Sequence, residues 1–399
     1  MYDFDTLLQR KHTDCTKWDA LKRDFGHEDL MPFWVADADF PILPEIAQAV
    51  QKRAGEGMTF GYTFAGEAYF DSVISWNMRR HGLNVKRESI LAAPGVVTAL
   101  SVTLLALTKE NDAVLINPPV YPPFFDVVKG IGRRLVQSPL IVQNGRYGLN
   151  YEEMEQEFSK GVQAYILCSP HNPVGRVWER EELEKVVALC KKYRVTLISD
   201  EIHYDIVYPG HVHTPILNIT TDAVMITAPS KTFNIAGLKS SVILIENPEH
   251  REAVEKWIDC LHLYLNLFAY TATEAAYQNG DLWVDEMVAY MEENARFTLR
   301  FLEKYMPGAR AYMPESTYLM WIDLSAYGMN GEEIHRRLTK QAHVALNPGA
   351  EYGAGYDRFV RLNIAAPRAY LEEGLKRIKD VFETEHEGGE GNGTEEGQL

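Results

Sequence analysis

Short apolar runs rich in valine and isoleucine recur through the middle of this 399-residue chain, and they constrain its fold more than any other feature. Asp112–Asn117 (DAVLIN), Gln163–Ser169 (QAYILCS), Val195–Ser199 (VTLIS), Asp222–Thr227 (DAVMIT) and Ser241–Ile245 (SVILI) are continuously apolar rather than alternating. Such runs suit strands buried on both faces of a largely parallel sheet. Between two of them, Arg180–Tyr193 sets Leu183, Val186, Val187 and Cys190 at i, i+3, i+4 and i+7, one buried helical stripe with charges opposite. The implied β-α-β units predict a large α/β domain over 46–285. Residues 1–45 read as an N-terminal arm and part of a smaller domain. Beyond Trp283 a long helix over Val284–Tyr305, short strands at Tyr318–Asp323 and Phe359–Ile364, and a last helix over Tyr370–Glu383 predict a small α+β domain, 286–386. The acidic, glycine-rich tail 387–399 has almost nothing to bury and is expected to be disordered.

Charge and cysteine usage narrow the partners. With 56 acidic against 40 basic side chains the formal net charge is −16, and no Lys/Arg stripe stands out. Neither nucleic acid nor an anionic membrane is an expected partner. Cys15, Cys168, Cys190 and Cys260 are widely separated, with no C-x-x-C pair, so reduced thiols and no metal site are expected. The N-terminus lacks a signal-peptide core, and the weakly polar run Val96–Thr108 is too short to cross a bilayer. A cytoplasmic location is the expectation.

Three polar pieces lie where predicted strands end, which is where open α/β sheets place their ligands. They are SPHNPVGR with Asn172, LISDEIHYD with Asp200, and TAPSKTFNIAGLKSS with Ser230 and Lys231. An amine, a carboxylate and an amide are the groups that hold and tune pyridoxal 5′-phosphate, with lysine as the Schiff base and an acid beside the pyridinium nitrogen. Lys231 reads either as a surface lysine at a strand end or as a desolvated nucleophile. Asp200 could equally cap the following turn. Asn172 could be a turn former or a donor to the cofactor's phenolic oxygen. Tyr121, in the proline-stiffened NPPVYPPF, can stack on a flat ring or simply pack. Cys168, four residues before Asn172, reads as strand packing.

A phosphate needs a positive pole. Gly95, Val96 and Val97 lead into an apolar helix over Thr98–Leu107, whose start would favour an anion. Ser230 and Lys239 could add a hydroxyl and a charge. Arg361, in FVRLNIAAPR, alternates with apolar neighbours, so it is either a grip for a substrate carboxylate or half of a structural salt bridge. The aromatic segment Met31–Phe40 (MPFWVADADF) reads as core, as a cover over a pocket, or as an arm on a partner subunit.

Taken together, FWVADADFP, FGYTF, APGVVTAL, NPPVYPPF, SPHNPVGRVW, SDEIHYDIVYPG, APSKTFNIAGLKSS, PESTYLMWID and VRLNIAAPR resemble the aminotransferase class I/II superfamily. Within it they are most similar to the MalY/PatB-type C–S lyases, which are cystathionine β-lyase-like. The resemblance covers about Phe4 to Phe382 and implies fold type I of the pyridoxal-phosphate enzymes: an aspartate aminotransferase-like α/β fold with a large, mostly parallel-sheet domain and a small α+β domain. It implies Lys231 as the Schiff-base lysine, Asp200 as the pyridinium partner, Asn172 as the O3′ contact, Tyr121 as the stacking ring and Arg361 as the α-carboxylate grip. It also implies a homodimer in which Tyr62 of the neighbouring subunit completes the site. His203 stands where many aminotransferases have tyrosine, and Lys239 where many have a phosphate-binding arginine. Trp34, Tyr62, Phe64, Tyr121 and Tyr318 are the expected aromatic pocket for a thioether side chain. The expected reaction is β-elimination from L-cystathionine or another L-cysteine S-conjugate, giving pyruvate, ammonia and a thiol. Two other readings stay open: an aminotransferase, and a pyridoxal-phosphate-binding regulator acting through protein contacts.

Overall fold

A computed structural model describes residues 2–56 and 59–383, so the tail 387–399 lies outside the described residues. Seven strands form the main sheet: β1 (Ile90–Ala93), β2 (Ala113–Ile116), β3 (Arg134–Gln137), β4 (Val162–Cys168), β5 (Thr196–Asp200), β6 (Val224–Thr227) and β7 (Ser241–Ile245). Their spatial order is β1-β7-β6-β5-β4-β2-β3. From β3 through β6 every pair is parallel. Alternate side chains of each strand enter opposite layers: Leu115, Tyr165, Leu167 and Met225 join one core, while Val114, Ile116, Ile166 and Ile226 join the other. This division is why the runs are apolar throughout.

The strand β7 departs from the parallel expectation, pairing antiparallel with both β6 and β1. The segment joining β6 to β7 holds only a four-residue helix, Pro229–Thr232, and a short turn, Ala236–Leu238. A parallel return needs a crossover long enough to run back along the sheet. This connection cannot do so, and it stays at the end of the sheet where it began.

The helix Arg180–Tyr193 forms as its periodicity predicts, with Leu183, Val186, Val187 and Cys190 buried. At its start the Glu182 carboxylate accepts from the Glu179 N–H at 2.8 Å, satisfying one orphan donor. The long C-terminal helix begins at Asp281, three residues before the expected start, directly after the helix Leu267–Asn279. Gly280 separates the two, and a Cβ there would lie 2.3 Å from the Phe233 ring. A second sheet, antiparallel and four-stranded, contains β8 (Arg310–Ala311), β9 (Leu319–Asp323), β10 (Asn347–Pro348) and β11 (Phe359–Asn363), in the order β8-β9-β11-β10. Met31–Pro32 pairs parallel with Val344–Ala345, tying the N-terminal segment to this part of the chain. Among the described residues no helix is long and apolar enough to cross a membrane.

Candidate active site

Tyr121, Asn172, Asp200 and Lys231 follow or end β2, β4, β5 and β6, four strands adjacent in the sheet. They line one cleft of about 820 Å³, counted to its open mouth. The sheet's connectivity alone therefore brings the three polar pieces together, in keeping with ligand placement at strand carboxyl ends.

Lys231 sits on the short helix after β6, where Pro229 supplies a pre-set first position. Thr232 anchors the helix by donating to Asp205 Oδ2 at 2.7 Å. Asn234 anchors it again, exchanging two hydrogen bonds with the Ala38 backbone at 3.0 and 2.9 Å. The Lys231 Nζ donates to the Ala36 carbonyl at 2.8 Å. Burial pushes the amine down to about 8, Asp37 and Asp200 opposing and Arg361 and Lys239 assisting. A neutral, nucleophilic fraction is thus present near neutral pH.

Asp200 is almost fully buried, and burial pushes its carboxyl up to about 7. One oxygen accepts from the Ile202 N–H at 3.1 Å, so the turn-capping role is real. No other donor to this side chain is found among the described residues, and the carboxyl lines the cleft. His203, on the same wall, is pushed down to about 3 by burial and by Lys231 and Arg361, so its ring is neutral. Its Nδ1 is buried without a partner. Asn172 accepts from Arg361 Nη1 at 3.2 Å, leaving its amide nitrogen to donate elsewhere. The turn that carries it depends on Gly175, whose φ is 69° and where a Cβ would fall 2.5 Å from Pro314 Cβ. Cys168 is a strand-end residue as expected, but its Sγ also accepts the Asn172 N–H at 3.4 Å and lines the cleft.

The phosphate-cradle residues line the same cleft. The helix starts at Val96, two residues earlier than expected, so Val96 and Val97 occupy its first turn. Gly95 precedes it at φ 96°, and an added Cβ would meet only Lys239 Cδ, at 3.8 Å. Glycine is needed here for conformation, while the space over the helix start stays open. First-turn N–H groups have no intrahelical acceptor. Ser230, Lys239 and Ser240 face the same space.

Arg361 is buried on β11 and makes no ion pair with a carboxylate among the described residues. Its guanidinium donates to Trp34 O at 2.8 Å, Asn347 Oδ1 at 2.7 Å and Asn172 Oδ1, lies 5.3 Å from the Tyr352 ring centre, and keeps Nε unpartnered. The salt-bridge alternative is not what the fold provides.

The aromatic pocket is corrected at Trp34 and Tyr318. The Trp34 ring turns away, donating to Lys17 O at 3.0 Å and packing edge-on against Phe25; only its carbonyl reaches the site, through Arg361. Tyr318 stands behind the cleft wall, its hydroxyl donating to Ala36 O at 3.0 Å. Tyr62 and Phe64 are exposed in this single chain and line no part of the cleft. Ala36, Ile202, Ser240 and Asn347 are site residues the sequence reading missed. Ala36 and Ile202 act through backbone groups, and the others had no motif to mark them. The odd segment Met31–Phe40 is core at Met31, Phe33, Ala38 and Phe40, and it reaches the cleft from this same chain at Ala36. Among the described residues no group of three His, Cys, Asp or Glu side chains could hold a metal ion.

The aminotransferase class I and II family model matches residues 28–378. The chain is 42% identical over 383 residues to cystathionine beta-lyase PatB of Bacillus subtilis (strain 168), covering 94% of this chain and 99% of that one. It superposes on cystalysin of Treponema denticola, whose crystal structure contains pyridoxal 5′-phosphate, with a TM-score of 0.92 at 34% identity over 96% of this chain and 98% of that one. The PLP-bound C–S lyase of Staphylococcus hominis gives 0.89 at 31% identity, again over 96% and 98%.

Proposed function

We propose, from the premise that this chain belongs to the aminotransferase class I and II family, that it is a pyridoxal 5′-phosphate-dependent carbon–sulfur lyase acting on L-cystathionine or related L-cysteine S-conjugates. The observation that carries this reading is the placing of Lys231, Asp200 and the open start of the Val96–Leu107 helix around one cleft. The residues present fit the cofactor. An amine near neutrality, a carboxyl with a single protein donor, an unpartnered His203 nitrogen and a glycine-opened helix start are what a flat, phosphorylated pyridine aldehyde requires.

When bound, the cofactor supplies an aldehyde for the amine and an electron-accepting ring for charge released at the substrate Cα. Lys231 would hold that aldehyde through its amine and is the group placed to take the Cα proton. Asp200 holds a proton at the ring nitrogen, the Asn172 amide is left to donate to a ring oxygen, and Tyr121 supports the ring face. The N–H groups of Val96 and Val97, with Ser230 and Lys239, hold the phosphate. Arg361, without an acid of its own, grips the substrate α-carboxylate. Loss of the sulfur substituent from Cβ as a thiol, with uptake of one water, would give pyruvate and ammonia.

A second copy of the chain completes the site in this reading. Tyr62, Phe64 and Phe60 stand exposed on one segment, an aromatic face suited to a homodimer in which Tyr62 reaches the neighbouring cleft. Unpaired cysteines and the acidic surface fit a cytoplasmic enzyme without nucleic-acid or membrane partners. The decisive assay measures pyruvate and thiol release from L-cystathionine beside amino transfer to a 2-oxo acid. Pyruvate should dominate; amino transfer with little pyruvate would leave the aminotransferase standing instead. Mixing Tyr62→Ala and Lys231→Ala proteins should restore about a quarter of the activity per site, by counting under two-fold symmetry. No recovery after proven subunit exchange would remove Tyr62 from the neighbour's site.

A further inference from the structure

Ala36 lies at the apex of a three-residue turn closed by the Asp37 N–H on Val35 O at 2.9 Å. Its carbonyl accepts from both Lys231 Nζ and Tyr318 Oη, at 2.8 and 3.0 Å. Asn363 Nδ2 holds the two flanking carbonyls, Val35 O at 2.6 Å and Asp37 O at 2.7 Å. Behind the turn four charges close a ring: Arg10 to Asp37 at 2.6 Å and to Asp39 at 2.8 Å, Lys17 to Asp39 at 2.6 Å and to Asp37 at 3.5 Å. Lys17 and Asp39 are wholly buried, and Lys17 also donates to Asp37 O at 3.0 Å.

Burying Lys17 and Asp39 outright, with Arg10 and Asp37 mostly buried beside them, is expensive, and apolar side chains often stabilise a fold as well or better. Holding a turn therefore does not by itself call for this ring. Asp37 is the foremost charge drawing a proton onto Lys231, against Arg361 and Lys239 and together with Asp200. His203 on the facing wall is neutral. Asp37 in turn faces Arg10, Lys17 and Lys231; burial raises its carboxyl, but these cations hold it below the usual range.

We propose that the Arg10–Lys17–Asp37–Asp39 ring is a positioning and tuning device for Lys231: it braces the Ala36 turn beside the Lys231 nitrogen and sets how much of the Asp37 charge that nitrogen feels, free or cofactor-bound. An amine seated there gives an N–H to Ala36 and keeps its lone pair free for a substrate proton. Arg10 and Lys17 screen Asp37, so removing a cation strengthens its field at Lys231 and removing Asp37 abolishes it. This rests on the reading of Lys231 as the cofactor-bearing lysine.

The test is a pH titration of the visible absorption of cofactor-loaded protein without substrate, which reports protonation at the Lys231 nitrogen. Asp37→Asn should lower the midpoint by about one unit, the low end for loss of a close opposite charge. Arg10→Gln should raise it by about half a unit, because Asp37 loses part of its screen. Asp37→Glu should return the midpoint toward the parent value. Thermal unfolding recorded in parallel separates mere damage, which lowers Tm in both variants but gives no reason for opposite shifts. Shifts of the same sign, or none, would overturn the ring's role while a visible parent band keeps the cofactor reading. Absence of that band would overturn the cofactor reading first, and this inference with it. Should Asp37→Asn fail to fold, Arg10→Gln decides alone: an upward shift supports the ring and an unmoved midpoint refutes it.

Discussion

Asp200 and Glu201 adjoin in the chain yet belong to two differently built regions. The Glu201 carboxylate accepts from Ser199 Oγ at 2.8 Å and Ile216 N at 3.0 Å, with His213 Nε2 at 2.7 Å. Four residues on, Asp205 is equally saturated, by Trp76 Nε1 at 3.1 Å, Thr232 Oγ1 at 2.7 Å and His81 Nε2 at 2.7 Å. On the cleft side, among the described residues, Asp200 has one donor, His203 Nδ1 none, and Arg361 no carboxylate. Buried polar groups in folded proteins are nearly always partnered. Tyr204 Oη and Tyr277 Oη nearby also lack partners, so the contrast lies in the acids: Glu201 and Asp205 are satisfied by the protein, whereas Asp200 is left open to a ligand on the cleft side.

The contrast can be broken by substitution, and the largest effect is expected at Lys231. Lys231→Ala should lower turnover by about 10⁴-fold or more, the upper range for a general base, with nucleophilic attachment lost as well. Borohydride reduction should no longer fix the cofactor covalently, and a fixed adduct on another lysine would refute the assignment. Next, Asp200→Ala should cost about 3–4 kcal/mol of barrier and little stability. Glu201→Gln should do the reverse, losing about 3 kcal/mol of stability in urea unfolding while the folded fraction keeps its rate. Equal losses of rate in the two variants would erase the distinction between the regions. Arg361→Lys should raise KM for cystathionine by about 10- to 100-fold, the loss of a charge-assisted two-bond grip.

The smallest effect tests the electrostatics without catalysis. In cofactor-free protein the Asp200 pKa is raised from 3.8 to about 7 by burial. A raised carboxyl stabilises the fold fully below its unfolded value, and that contribution fades as pH climbs through the folded value. Asp200→Asn should therefore gain Tm relative to the parent as pH rises from about 4 to about 7. A constant Tm difference across that window would mean that Asp200 is better solvated than its burial implies.

The parts legible in the sequence are those written in side-chain pattern. The stripe of Arg180–Tyr193 fixed both helix ends, and Val/Ile runs located five of the seven strands. The direction of β7 was not legible, because a run buried on both faces looks the same either way round. Trp34 was misjudged for a related reason: an aromatic in an irregular apolar segment has no periodicity to say which way its ring points. The Ala36 carbonyl had no signature at all, since every residue carries one. The place of Tyr62 depends on a second chain, which no single sequence displays. The seating of Lys231, Asp200, Asn172 and Tyr121 on one cleft was readable, because parallel β-α-β order places successive strand ends side by side.

The antiparallel return of β7 has a consequence in time. Among the described residues the one neighbour of β1 in the sheet is β7, far along the chain, whereas β2, β4, β5 and β6 pair with strands nearer in sequence. Contacts between distant segments pay their loop-closure entropy before they are rewarded, and so tend to form late. The strand that leads into Gly95 thus waits for β7, and during synthesis Lys231 leaves the ribosome before the Gly95–Val97 part of the anion site can be fixed in place. Cofactor capture is then expected to follow closure of the sheet edge rather than to guide it.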